Sequence, residues 1–519
     1  HICTLPCHTH SPPPPLPHPI SAPPRQGPSA PCSELIMSRI IPMSEVAQHN
    51  SKKDCWVVIH GKVYDMTQFA PEHPGGSHII YSFKGKDGSR IFDTIHTVDI
   101  FDKYTDVAPC VGTLDPKDMP KDNGEEKEVK KGEKPPLDFL LNAFEFEQVA
   151  KNCLSAPAYA YISSGSDDEV TLRENHSAFG RIWLRPRVMV NVRDIDMNTT
   201  IMGYPSSFPV MIAPTALAKL AHPDGEKCYC RGAGNHNIIQ VVPTLGSLTV
   251  EEITAVRKPN QIHFMQLYVN SDRNKTEKLI RRAEKCGCKA LFVTVDAPQM
   301  GRREKDMRMK YVPQATNQED DDQVGNRGGG TANYLSSFID PSLNWSDIAD
   351  FQKMTDMAIV IKGIQCAEDA VLAYKHGARG IVVSNHGGRQ LDFSRSAIET
   401  LPEVMEALKK AGAEGKMEVY IDGGVRRGTD IFKAIALGAK AVLVGRPVIY
   451  GAAGYGTEGV TKVLQLLKDE FRTAMMLCGT TKVDDINSTM VSTKSLHHHY
   501  VASPNPDMMD YGYQPFSKL

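Results

Sequence analysis

The sequence predicts an α/β protein, a (β/α)8 barrel preceded by a small α+β unit. Three observations predict it. Eight short apolar runs, at 209–213, 238–242, 262–268, 290–295, 358–361, 380–383, 418–421 and 441–444, alternate with amphipathic stretches. Stretches such as 369–378 end in glycine, as helices do. The polar residues that stand out sit where the runs stop, the end at which barrel active sites form. Ahead of this region a compact unit carries its own strands, set off by a charged segment rich in proline and glycine. At 519 residues, more than one domain is expected.

In chain order, residues 1–36 are Pro-rich and lack apolar periodicity, so they read as a disordered segment, with Met37 a candidate start. Residues 37–114 read as a small domain. There Trp56-Val57-Val58-Ile59 is a strand, His60-Gly61-Lys62 a turn and Val63-Tyr64-Asp65 the return. His73 opens a His-Pro-Gly-Gly turn, and a second histidine, His96, follows Phe92-Asp93-Thr94-Ile95. Two histidines on loops of one small apolar unit fit the two faces of a haem iron. Such ligation leaves no open coordination position and favours electron transfer. Residues 115–136 are dominated by charge, Pro and Gly and read as a solvated linker, a tether that keeps two sites at high effective concentration. The barrel spans 137–495, and 496–519 form a tail.

Composition excludes some partners. A net charge of -2 gives no general attraction to nucleic acid. No apolar run reaches the roughly eighteen residues of a membrane span. The cysteines show no zinc-type spacing. Cys228 with Cys230, and Cys286 with Cys288, read as reduced thiols rather than a disulfide framework.

The chemistry gathers at the strand ends. The sixth run leads into Ser384-Asn385-His386-Gly387-Gly388-Arg389. Here a histidine that exchanges a proton near neutral pH stands three residues from a guanidinium that matches a carboxylate. The pair points to removal of hydrogen from a small carboxylic acid. Around it fall Pro214, Thr215 and Ala216 after the first run, and Gln266 and Tyr268 at the end of the third. Thr294 and Asp296 end the fourth, and Lys362 follows the fifth. The seventh and eighth turns, with Asp422, Gly424, Arg426, Gly445 and Arg446, combine glycine amides with arginines where barrels bind phosphate. Any one of these could be structural, and Lys362 alone reads as a solvated lysine. Their joint arrival at strand ends carries the argument.

The segments 158–165, 171–175, 212–217, 266–268, 294–304, 384–392 and 422–429 resemble the FMN-dependent L-2-hydroxy-acid dehydrogenase and oxidase family. Residues 43–112, with the His73 turn and His96, resemble the cytochrome b5 family. The resemblance implies FMN and haem b as cofactors, with His73 and His96 as iron ligands. It implies that His386 is the catalytic base and Asp296 the carboxylate that orients it and raises its proton affinity. Arg389 binds the substrate carboxylate, Tyr161 supports it, Arg303 is a second arginine and Tyr268 lies near the substrate hydroxyl. Lys362 stands near flavin N1. Pro214, Thr215, Ala216, Gln266 and Thr294 contact the flavin, and Asp422, Gly424, Arg426, Gly445 and Arg446 its ribityl and phosphate end. Ala216 and Leu245 fall where the family sets substrate size, and their modest bulk suits lactate. Pro243 departs from the family, which has a flavin-contacting serine there. Proline donates nothing, so that contact is lost or supplied by Thr244.

The expected reaction is oxidation of an L-2-hydroxy acid, L-lactate above others, with electrons passing through haem to cytochrome c or a similar one-electron acceptor. Two alternatives stand beside it. One is an oxidase that passes electrons to oxygen and makes hydrogen peroxide. The other is a haem-binding electron carrier or sensor with an inactive barrel. The resemblance also implies a homotetramer. The closing Ser517-Lys518-Leu519 is a peroxisomal address, whereas the resemblance points to the mitochondrial intermembrane space, with the cytoplasm as a further alternative. The polar insertion 314–331 reads as an active-site cover or a disordered insertion. The three histidines 497–499 read as a solvated tail without partner ligands.

Overall fold

The computed structural model describes residues 39–73, 77–92, 101, 104–119, 132–309 and 339–499. The segment 1–36, His96, the insertion 314–331 and the closing triplet 517–519 lie outside the described residues. The chain divides into two units, His1–Glu128 and Val129–Leu519.

In the first unit the expected hairpin forms. Asp54–Ile59 pairs antiparallel with Lys62–Asp65. The turn between them holds His60 and Gly61 at φ 49° and 72°. Two successive left-handed residues twist the chain as the strands themselves twist, so a two-residue turn suffices. Cys55, Val57 and Ile59 join one apolar cluster, and Trp56 and Val58 another. Both faces of the strand are covered, which is why the run shows no polar alternation. His73 follows the 3-10 helix Ala70–Glu72. It is half-buried, its ring 5.7 Å from that of Phe69, which packs on the cluster of Val57, Tyr64 and Phe101. An imidazole beside a wall of partly buried aromatics fits a flat apolar macrocycle with a metal centre.

The second unit is a closed barrel of eight parallel strands: β1 Val210–Ile212, β2 Ile239–Val242, β3 His263–Leu267, β4 Ala290–Thr294, β5 Ala358–Ile364, β6 Gly380–Val383, β7 Glu418–Asp422 and β8 Ala441–Val444. Each strand pairs with the next, and β1 pairs with β8. Along each strand residues alternate between two cores. Met211, Phe264, Phe292, Val360 and Tyr420 fill the interior. Ile212, Met265, Leu291, Ile361 and Ile421 pack on the helices outside. The hairpin of Thr199–Ile201 and Tyr204–Ser206 plugs the end where strands begin. Ile201 joins the interior core, and the Met202 N–H donates to Glu418 Oε2 (3.0 Å) at the start of β7. The opposite rim is left for function.

Two expectations shift. β5 runs past the apolar stretch to Ile364, with an irregularity between Lys362 and Ile364, so Lys362 lies inside the strand. The end of the charged segment 115–136 is not wholly solvated, since Lys134 donates to the Gly454 carbonyl and lies over the Tyr455 ring. The described cysteines are free thiols. No helix among the described residues is long and apolar enough to cross a membrane.

Candidate active site

The loop after β6 presents His386 by an uncommon backbone. His386, Gly387 and Gly388 are all left-handed, at φ 59°, 65° and 77°. Glycine accepts that conformation freely, and histidine does so at a cost of roughly 1 kcal/mol. Space also requires Gly388, because a Cβ there would stand 2.6 Å from the Leu172 backbone. The turn delivers His386 to Asp296, just past β4, with Nδ1 3.0 Å from Oδ1. Asp296 fits against β5 because residue 363 is glycine; a Cβ would lie 2.6 Å from the Asp296 Cβ. A carboxylate only accepts, so Nδ1 carries the hydrogen and Nε2 keeps its lone pair. The Tyr268 hydroxyl is 3.3 Å from Nε2, and both side chains line the cavity at the rim.

Electrostatics refine the expectation about this pair. Burial lowers the His386 pKa below the ordinary histidine value, against the pull of Asp296 and with the help of the Lys362 charge. Asp296 does raise the proton affinity, but desolvation of the imidazolium outweighs it. Burial pushes the Asp296 carboxyl up, yet the charges of His386 and Lys362 hold it below its ordinary value. At neutral pH the pair is therefore a neutral imidazole beside a carboxylate. Burial raises the Tyr268 phenol, which stays protonated.

Two arginines meet beside it. Arg389 spends Nη1 on the carbonyls of Tyr161 (2.7 Å), Ile162 (3.3 Å) and Ser164 (3.0 Å), and its guanidinium lies 4.9 Å over the Tyr161 ring. Arg303 is buried, with Nε donating to the Arg389 carbonyl (3.2 Å). Burial and the neighbouring Arg389 pull its pKa to about 9. Neither arginine has an ion pair among the described residues. Two guanidiniums at a cavity wall with no carboxylate in direct ion-pair contact among the described residues fit an anion.

The opposite wall has the donor set of a flavin site. Lys362 Nζ is 3.0 Å from Asp422 Oδ2 and 3.0 Å from Ser384 Oγ, which leaves one N–H for a ligand. Burial draws its pKa down, but Asp422 and Asp296 more than offset this and the net shift is upward. Asp422 Oδ1 is buried with no hydrogen-bond partner among the described residues. A hydroxyl of a bound ligand fits that orphaned acceptor. Gln266 donates to Thr294 Oγ1 (3.0 Å), and Pro214, Thr215, Ala216, Gly424 and Gly445 line the same cavity. Arg446 begins the helix Arg446–Cys478, which is broken at Tyr455 and Gly456. Its guanidinium bonds the carbonyls of Ile162 (3.2 Å), Ser164 (3.0 Å) and Gly387 (2.8 Å). Burial and Arg389 lower its pKa to about 10. Arg426 pairs with Glu147 at 3.0 Å. The seventh and eighth strand ends thus join glycine amides to two cations, which suits a phosphate.

Thr244 cannot replace the serine that Pro243 displaces. Its N–H donates to Gln266 Oε1 (2.9 Å), and its hydroxyl donates to the Gln266 carbonyl (2.7 Å) and accepts from the Tyr268 N–H (3.0 Å). Both its donors are taken.

Sequence reasoning gave no role to the residues that hold these loops. Asn175 and Asn385 exchange hydrogen bonds of 2.9 and 2.8 Å. Gln390 donates to the carbonyls of Asp296 (2.7 Å) and Gln299 (3.0 Å), tying the loop after β6 to the loop after β4. Buried amides far apart in sequence leave no periodic trace. Of the expected residues, the structure brings together all those of the barrel set. His73 lies in the other unit, and His96 is outside the described residues.

Comparison with known proteins follows the same division. Residues 150–493 match the FMN-dependent dehydrogenase family, and residues 42–115 the cytochrome b5-like haem/steroid binding domain. The chain is 46% identical over 477 residues to the L-lactate dehydrogenase (cytochrome) of Wickerhamomyces anomalus, covering 91% of this chain and 83% of that protein. It is 45% identical to a peroxisomal (S)-2-hydroxyacid oxidase of Arabidopsis thaliana, over 69% of this chain and 98% of the relative. Among solved structures, the flavin-binding domain of baker's yeast flavocytochrome b2 aligns at 44% identity with a TM-score of 0.66, covering 73% of this chain and 93% of that one.

Proposed function

Because this chain belongs to the FMN-dependent dehydrogenase family and carries a cytochrome b5-like domain ahead of the barrel, we propose that it oxidises L-lactate to pyruvate and delivers the electrons singly to cytochrome c or a similar acceptor. The observation that carries the reading is the His386–Asp296 pair in one cavity with the unpaired Arg389 and Arg303. Bound FMN supplies a two-electron acceptor, and haem a one-electron relay. Pro214, Thr215, Ala216, Gln266, Thr294 and Lys362 would hold the flavin ring. Asp422, Gly424, Arg426, Gly445 and Arg446 would hold its ribityl and phosphate end. His73 would hold one face of the haem, with His96 on the other.

Arg389 and Arg303 bind the substrate carboxylate and fix the acid against the wall. Tyr268 holds the hydroxyl oxygen. His386 Nε2 takes a proton from the substrate, and Asp296 stabilises the imidazolium that forms. Lys362, fixed by Asp422, would supply a positive charge to the bound flavin. Ala216 and Leu245 bound the space for the side chain and suit a methyl group.

Anaerobic mixing of the loaded protein with L-lactate tests this. Flavin bleaching should precede haem reduction, and added cytochrome c should then turn over rapidly. Fast peroxide formation with a silent haem would make it an oxidase. Flavin that no 2-hydroxy acid bleaches would leave an electron carrier or sensor with an inactive barrel.

The acid limb of the pH profile provides a second check. The base must be unprotonated, so kcat/KM falls as pH drops through the His386 pKa. Burial holds that value below the ordinary one, about 6.5. The base is therefore mostly unprotonated at pH 7. Asp296→Asn removes the carboxylate that pulls the pKa up, so the limb should move to lower pH while kcat falls roughly 10²- to 10⁴-fold. A limb that moves to higher pH in this variant would contradict the assignment.

A further inference from the structure

The catalytic reading leaves the tail unused. Residues 497–499 are consecutive histidines for which the sequence shows no partner ligands, but the fold supplies them. Leu496 is completely buried, and Arg181 Nε donates to its carbonyl (2.9 Å), which fixes where the histidines emerge. His499 Nε2 lies 2.8 Å from Glu399 Oε2, and His497 Nδ1 lies 3.4 Å from Glu399 Oε1. Glu399 is 3% exposed, and among the described residues its carboxylate meets no other hydrogen-bond or ion-pair partner. A carboxylate oxygen of Glu174 joins them, with the ligand atoms of Glu174, Glu399 and His499 all within 4.8 Å of one another.

A buried carboxylate is costly unless a positive charge meets it. His497 and His499 meet it through hydrogen bonds. Zinc binds His nitrogen and carboxylate oxygen at about 2.0–2.1 Å in a tetrahedron, which sets its ligand atoms roughly 3.3 Å apart. The His499–Glu399 contact of 2.8 Å is a hydrogen bond that would open by roughly half an ångström around an ion at that spacing. Arg181 grips both oxygens of Glu174, Nη1 donating to Oε2 (3.1 Å) and Nη2 to Oε1, and orients that carboxylate as outer-shell groups orient metal ligands. His497 and His499 are 69% and 47% exposed, so an ion enters from solvent.

We propose that Glu174, Glu399 and His499, with His497 beside Glu399, bind a divalent transition metal of the zinc class, stapling the tail to the helices Val170–Gly180 and Ala397–Lys410. The first helix carries Asn175, which holds Asn385 of the catalytic loop, and the second follows that loop directly. The site lies outside the catalytic cavity, so it does not depend on which acid the barrel oxidises.

Equilibrium dialysis of the haem- and FMN-loaded full chain against micromolar Zn²⁺ tests the proposal. The parent protein should bind one more equivalent than the His497→Ala/His499→Ala variant, and Glu399→Gln should lose the same equivalent. Zinc should also slow tryptic cleavage after Lys494 in the parent and not in the double variant. Lactate turnover without added metal should match between the parent and the double variant. Equal zinc content in parent and double variant, or full zinc retention in Glu399→Gln, would overturn it.

Discussion

Replacing His386 by glutamine is expected to lower kcat by roughly 10²- to 10⁴-fold, the usual worth of a positioned general base. Glutamine has a similar reach and can still take a hydrogen bond from Tyr268, but it accepts no proton at any working pH. The left-handed backbone at 386 strains glutamine as it strains histidine, so the loop is not relieved or further burdened. Arg389 and Arg303 remain, so KM should stay within a few-fold while kcat collapses. The acid limb assigned to His386 should vanish as well. Rapid mixing with lactate should show flavin bleaching slowed by the same factor as turnover. A variant that bleaches flavin within tenfold of the parent rate would remove His386 from the role of base.

The second large effect is expected at Lys362. Its ammonium is 3% exposed within β5 and bound to Asp422 and Ser384. Lys362→Met keeps the stem and deletes the charge. Asp422 then stands buried without its partner, and Asp296 loses a neighbouring cation. Removing one member of a buried pair costs about 3–5 kcal/mol. The sign with pH is definite. The folded-state pKa of Lys362 is raised, so its contribution is whole below the unfolded value near 10.4 and fades as pH climbs through the folded one. At neutral pH the full loss should appear. Urea unfolding of the barrel followed by circular dichroism should show an earlier midpoint, and FMN should dissociate more readily. An unchanged barrel midpoint with unchanged FMN affinity would mean that the Lys362–Asp422 contact carries little.

Much of the barrel was legible because its strands are covered on both faces. The runs 380–383 and 441–444 coincide with β6 and β8. β5 was read short because a lysine and a glycine interrupt the apolar pattern, although the lysine charge is met inside the wall by Asp422. The His386–Arg389 spacing was legible because it is local. The reciprocal Asn175–Asn385 bonds and the Gln390 clamp were not, since they join segments that only the folded barrel brings together. The direction of the His386 shift was also hidden, because sequence names the neighbouring carboxylate but not the depth of burial. Glu399 as the partner of His497 and His499 was invisible for the same reason.

Arg389 and Arg446 share a backbone segment: both donate to the carbonyls of Ile162 and Ser164. A carbonyl oxygen has two lone pairs, so both arginines are held on these two acceptors at once, and a displacement of this backbone segment moves both guanidiniums together. Under the proposed roles, a ligand that shifted one guanidinium would shift the other through the shared segment. Thermodynamic reciprocity then applies. Whatever factor the cofactor imposes on affinity for the acid, the acid must impose on affinity for the cofactor. Under the proposed roles, any such factor would appear as substrate-dependent retention of FMN in dialysis.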